Sequence, residues 1–167
     1  MKKLLIVIDM QEDFVTGALA NPDAQAVVEG IAALVKDFDG DVIATRDTHG
    51  ENYLATAEGK RLPVPHCIRG TEGWQVVAPI ARAVEERGGR YVDKPTFGYD
   101  GWALSPYDEI YLCGTCTDIC VVSNALILKA RYPETEFFVY GSLCAGVNQK
   151  KHEAALETMR SCQITVL

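Results

Sequence analysis

A chain of 167 residues with 48% hydrophobic and 23% charged residues has the composition of an ordinary globular protein of one domain, residues 1–167. Its formal net charge of −7, with no basic run longer than two residues, argues against a nucleic-acid partner, because phosphate binding wants clustered lysine and arginine. The opening apolar run stops after five residues at Asp9, too short for a signal peptide or a membrane span; a cytoplasmic location is expected, with the six cysteines mostly free thiols.

That opening run, Leu4–Asp9, reads as a strand buried on both faces. Asn21-Pro22-Asp23 supplies a cap and first turn for a helix in which Val27, Val28, Ile31, Leu34, Val35 and Phe38 recur at helical spacing until Gly40. Asp41–Arg46 reads as a second strand. Residues 47–73 form a loop several-fold longer than the usual strand-to-helix connection, and it holds two of the three histidines, so it reads as functional. A helix from about Gln75 to Arg87 stops at Gly88-Gly89 and leads into strand Arg90–Lys94. Strand Glu109–Gly114 is followed by a helix from near Thr117 to Arg131, before Pro133. Strand Glu136–Tyr140, a helix over roughly Asn148–Arg160 and strand Gln163–Leu167 complete the chain. Strands alternating with helices imply βαβ units and a three-layer α/β/α fold on a six-stranded, mainly parallel sheet.

In such sheets ligands bind beyond the carboxyl ends of the strands. Those ends deliver Asp9, then Asp47 and His49, then Lys94, then Cys113 through Cys120. Cys120 falls in the first turn of a helix, where free N–H groups and the helix dipole favour a thiolate; a neighbouring Lys94 ammonium would lower its pKa further. Asp9 is placed to take the thiol proton and return it to a leaving group. Asp47, His49 and His66 form a candidate site for one divalent metal, zinc first, with iron or manganese as alternatives. His152 reads as a surface residue, and Cys67, Cys144 and Cys162 as structural. Cys113-x-x-Cys116 keeps open a thiol redox protein, and a non-catalytic binding module on the same fold is a further alternative.

These residues resemble the nicotinamidase/isochorismatase-like cysteine hydrolases over essentially the whole chain. The marks are Asp9-x-Gln11-x-Asp13-Phe14, Thr45-Arg46-Asp47-x-His49, Pro65-His66-Cys67, Gly70-Thr71-x-Gly73, Lys94, Gly114-x-x-x-Thr117-Asp118-x-Cys120-Val121 and Ala145-Gly146. The resemblance implies that Asp9, Lys94 and Cys120 are the catalytic triad and that Asp47, His49 and His66 are the metal ligands. It also implies a cis peptide at Thr115-Cys116, an oxyanion hole from the N–H groups of Cys116 and Cys120, and sheet order 3-2-1-4-5-6. Phe14 would wall the substrate pocket, with Tyr53, Phe97, Tyr99 or Trp102 opposite. The Asp/His/His set resembles the metal-binding amidase branch, so the implied activity is release of ammonia from a small carboxamide, nicotinamide first. An isochorismatase-like or N-carbamoyl hydrolase is the alternative on the same scaffold. Pro63 stands where nicotinamidases carry a tryptophan, and Glu51, Asn52 and Tyr53 occupy a stretch where a further histidine is often found. The expected partner is a small-molecule amide, with neither nucleic acid nor membrane; a homo-oligomer stays open.

Overall fold

The computed structural model describes residues 1–167. Strand β1 (Lys3–Ile8) leads through a short helix α1 (Glu12–Val15) to helix α2 (Pro22–Asp37) and strand β2 (Asp41–Asp47). Helices α3 (Ala57–Arg61) and α4 (Ala78–Glu86) precede β3 (Arg90–Lys94) and β4 (Glu109–Thr115). Helix α5 (Val122–Arg131), β5 (Glu136–Ala145), α6 (Gln149–Ser161) and β6 (Thr165–Val166) follow. The six strands form one sheet in the order β3-β2-β1-β4-β5-β6, and every pairing is parallel, so the sheet is wholly rather than mainly parallel. No helix is long and apolar enough to cross a membrane.

The side-chain period of two in β1 explains why it reads as one apolar run. Leu5 and Val7 join a core with α2 and α4, through Ile31, Val35, Ile80 and Val84. Leu4, Ile6 and Ile8 join the opposite core with α5 and α6, through Ala125, Leu128, Leu156 and Met159. Asn21 starts α2 as expected, its side chain accepting from the Asp23 N–H while Pro22 begins the helix.

Several elements differ from expectation: the helix expected from about Gln75 starts at Ala78, and the strand expected over Gln163–Leu167 shortens to Thr165–Val166. The helix expected from Thr117 opens with a π-helical turn, Thr117–Val121, before α5 becomes regular. Strand β5 runs five residues past Tyr140, to Ala145, after a register shift opposite Leu112 and Gly114. The 47–73 segment is not featureless. It holds a 3₁₀ turn (Tyr53–Ala55), α3 and a bridge from His49 to Ile68.

Gly114 sits at that irregularity with φ of +121°, a conformation that side chains rarely adopt. A Cβ there would run into the backbone of Ile8 on the neighbouring strand. Gly114→Ala should therefore destabilise the fold by about 2–3 kcal/mol, a fall in Tm of roughly 4–10 °C. A thermal melt unchanged from the wild type would show that β1 and β4 do not need this close approach.

Candidate active site

The register of the sheet gathers the expected residues at its carboxyl edge. Asp47 pairs directly with Lys94 across β2 and β3, and Asp9 follows the last residue of β1. Asp9 turns out of the strand at φ of 49°, in the left-handed region that aspartate tolerates better than most residues. Its N–H donates to the Thr45 hydroxyl at 3.1 Å, and that hydroxyl donates back to Oδ1 at 2.6 Å. Lys94 Nζ donates to the other carboxylate oxygen at 2.7 Å and to the Thr96 carbonyl at 3.3 Å. Asp9, Thr45 and Lys94 are all fully buried. Burial opposes the Lys94 charge, but Asp9, Cys120 and Asp47 outweigh it and hold the ammonium well above its usual range. Burial, with repulsion from Asp47, lifts Asp9 above the ordinary carboxylate range against the pull of Lys94. The pair titrates as a unit, and its carboxylate is a stronger base than one in water.

Cys120 lies in the π-helical turn, only 5% exposed, and its carbonyl accepts from Asn124 Nδ2 at 2.8 Å. Burial pushes its thiol well above the usual range, aided by Asp9 and opposed by Lys94. The expected depression at a helix start is opposed here, because burial of the thiol works against the nearby ammonium. The Thr115-Cys116 peptide is cis, as the resemblance implies. The Cys116 N–H has no acceptor within the protein. Cys113 packs fully buried in the α2/α4 core, whereas Cys116 lines the cavity; all six cysteines are free thiols.

Next to the pair, Asp47, His49 and His66 converge with a fourth group, Glu58 of α3, which the sequence reading did not single out. One ligand atom from each lies within 4.8 Å of the others. His66 Nδ1 lies 2.7 Å from the Val64 carbonyl, which leaves Nε2 facing Asp47 Oδ2 at 3.5 Å; His49 Nε2 is 2.8 Å from the same oxygen. Burial would raise the Asp47 pKa, but the two imidazoles and Lys94 overcome it and hold the carboxyl well below the usual range. Asp47 Oδ1 is buried with no hydrogen-bond partner. An orphaned carboxylate oxygen beside two imidazoles and a second carboxylate is a donor set that fits a divalent cation.

Gln11 braces this group from behind. Its amide nitrogen donates to the Asp47 carbonyl at 2.8 Å and to the Trp74 carbonyl at 2.9 Å, and its oxygen accepts from the Asp47 N–H at 2.8 Å. On the far side Asn124 uses its whole amide. Its oxygen accepts from the Tyr99 N–H and Trp102 Nε1, and its nitrogen donates to the Phe97 and Cys120 carbonyls. Both residues are fully buried, and neither role has a signal in local spacing.

A cavity of about 380 Å³ opens over the cluster, lined at depth by Asp47, Glu58, His66, Cys116 and Cys120. Phe14 walls it, its ring centroid 5.4 Å from that of His66. Of the four candidates for the opposite wall, Phe97 lines the cavity. Trp102 lies in the core with Tyr99 edge-on against it, and Tyr53 is buried behind His49 and His66. His152 is not simply a surface residue. It is half-buried, and its Nδ1 lies 2.7 Å from the Thr117 hydroxyl at the start of the turn carrying Cys120. Cys162, read as structural, is exposed at the end of α6.

The parallel sheet and the carboxylate, ammonium and thiol gathered at its carboxyl edge define a three-layer α/β protein with an enzyme-like pocket. The chain belongs to the isochorismatase family: the isochorismatase domain matches residues 3–167. An isochorismatase family protein of Bacillus subtilis (strain 168), PncA, is 32% identical over 174 residues, covering 93% of each chain. The crystal structure of pyrazinamidase/nicotinamidase from Streptococcus mutans UA159 is similar at 28% identity with a TM-score of 0.87, covering 99% of this chain and 100% of that one. That of the pyrazinamidase of Pyrococcus horikoshii, in complex with zinc, is 26% identical with a TM-score of 0.77, covering 100% and 99%.

The protonation of Cys120 is open to direct measurement. In metal-free protein, its alkylation, mapped by mass spectrometry, should rise about tenfold per pH unit up to pH 9, because the thiolate fraction is still growing there. A rate that levels off below about pH 7 would instead reveal a depressed pKa.

Proposed function

We propose that this chain is a cysteine-dependent amidohydrolase that releases ammonia from a small neutral carboxamide, with nicotinamide to nicotinate as its first reaction. The observation that carries the reading is the buried Asp9–Lys94 pair, acting electrostatically on Cys120 beneath a cavity of ligand size. Relatives described as nicotinamidase and pyrazinamidase support the same chemistry.

With burial favouring the neutral thiol, attack and proton transfer are coupled in this reading. Cys120 Sγ forms a bond to the amide carbon as its proton passes to Asp9, and the carbonyl oxygen becomes an oxyanion. The N–H groups of Cys116 and Cys120 receive that oxyanion. Asp9 returns the proton to the amide nitrogen, the C–N bond breaks and ammonia leaves a thioester on Cys120. Water then attacks the thioester, giving one proton to Asp9, which passes it to the departing thiolate; the acid product is released. Lys94 remains an ammonium throughout and keeps Asp9 oriented.

Asp47, His49 and His66, with Glu58 beside them, would hold one divalent metal, for which zinc is the first candidate. Such an ion supplies a Lewis-acid position for a neutral heteroatom of the substrate. Two alternatives fare worse. A carboxylate-bearing, isochorismate-like substrate would enter a cavity whose lining contains Asp47 and Glu58 and neither lysine nor arginine. A redox role for Cys113 and Cys116 is opposed by the full burial of Cys113.

Cys120→Ala should abolish ammonia release from nicotinamide, pyrazinamide, an aliphatic amide and an N-carbamoyl compound, while Cys116→Ala, which keeps its backbone N–H, retains part of it. The reverse pattern would overturn the assignment of the nucleophile. Preference for the aliphatic or N-carbamoyl compound would overturn nicotinamide as substrate and leave the hydrolase standing. Protein purified without chelator should carry close to one metal ion per chain by elemental analysis, and His66→Ala should lose it. Metal-free protein with full turnover would remove the metal from the reading.

A further inference from the structure

The mouth of the cavity has a different chemistry from its floor. Large apolar side chains with more than a third of their surface exposed are few in this chain. Apart from the terminal Met1 and Leu167 they are Leu54, Leu62, Phe97, Ile119 and Val147. Four of these five line the one cavity that holds Cys120. They come from unrelated places: the end of α3, the segment after β3, the turn carrying Cys120 and the β5–α6 connection. Scattered single apolar residues on a surface need no explanation, but convergence of separate segments on one opening does.

Two of the four are fixed by polar contacts. The Val147 N–H donates to Asp118 Oδ1 at 2.9 Å, and the preceding Gly146 carbonyl accepts from Asn21 Nδ2 at 2.9 Å. The Phe97 carbonyl accepts from Asn124 Nδ2 at 2.9 Å. The Phe97 and Val147 segments are therefore pinned, by two half-buried hydrogen bonds and one exposed one. Its exposure is also substantial: Phe97 is 48% and Val147 is 51% exposed. A compact single-ring amide seated on the floor would leave most of that apolar surface in water, in a cavity of about 380 Å³ whose size suits a larger ligand. The lining's charged side chains, Asp47 and Glu58, lie with the proposed metal-binding group, and neither lysine nor arginine lines the cavity to pair with an anionic tail.

We infer that the preferred substrates are aromatic carboxamides carrying an apolar substituent, which Leu62, Phe97, Ile119 and Val147 receive at the mouth while the amide meets Cys120 at the floor. This inference rests on the amidohydrolase reading and narrows its substrate class. Fully burying one methylene contributes roughly fourfold in binding, so a propyl group half-covered by the collar should gain about tenfold.

The test is a series of pyridine carboxamides bearing methyl, propyl or pentyl groups at each open ring carbon, with a carboxylate-ended chain of matched length, assayed by ammonia release. For at least one ring position kcat/KM should rise with chain length to about tenfold over nicotinamide at propyl, chiefly through KM, and the carboxylate-ended analogue should fall below nicotinamide. In Leu62→Ser/Val147→Ser the ratio of propyl to parent should drop toward one; both positions are exposed, and a thermal melt checks the fold. Turnover of nicotinamide with a flat or falling series at every ring position would overturn the apolar subsite and leave the amidohydrolase intact. A carboxylate-ended chain outperforming propyl would overturn it as well. Absence of turnover across the whole series would overturn the amidohydrolase reading and this inference together.

Discussion

Stripping a lysine ammonium and an aspartate carboxylate of water is costly unless close pairing and further hydrogen bonds offset the loss. Asp9 and Lys94 are fully buried, and most of the neighbourhood can be understood as what keeps them there. Thr45 closes a two-way hydrogen bond with Asp9, the Thr96 carbonyl takes a second proton of Lys94, and Asp47 stands 4.0 Å from the ammonium. Three strands must end in one register for this to work, and β1, β2 and β3 do so. A pair so enclosed adds little to stability beyond what an apolar pair of like size would contribute. What it provides is a carboxylate held at fixed orientation and raised basicity beside a thiol.

The thiol is shaped by the same enclosure. A helix start and a nearby cation both favour a thiolate, which is why the sequence suggests one. Full burial works in the other direction and prevails at Cys120. Burial thus favours a protonated thiol and a more basic Asp9 over a standing thiolate beside the Asp9–Lys94 pair. Such a base suits the proposed reaction, in which Asp9 would pass the thiol proton to the leaving ammonia and later a water proton to the thiolate.

What could be read from the sequence follows from burial on both faces of the strands. The runs that mark β1 to β4 place the strand ends within a residue, and so Asp9, Asp47, Lys94 and the Cys120 turn, on one edge, whereas the end of β5 was misjudged by five residues. The helix boundaries were less legible near the site, because the π-helical turn at Thr117–Val121 has no periodic signature of its own. Aromatic residues were the weakest signal. Phe97, Tyr99 and Trp102 sit within six positions of one another, yet one lines the cavity and one is core. Asn124 decides which, by binding that segment at three points, and a lone asparagine on a helix carries no hint of it. Glu58 was missed for a related reason: it reaches the imidazoles only because the long loop folds into α3.

Gln11 shows how far such a constraint reaches. Its side-chain amide engages both the N–H and the carbonyl of Asp47, as a neighbouring strand would, where β2 leaves the sheet. A side chain is thereby acting as a piece of backbone for the residue that bears the orphaned carboxylate oxygen. Position 11 touches no reacting group and offers no ligand atom. Even so, if the proposed metal site is occupied, a genetic screen scored on metal retention would return lesions there beside lesions in the proposed ligands, and only a map of who holds whom would tell the two apart.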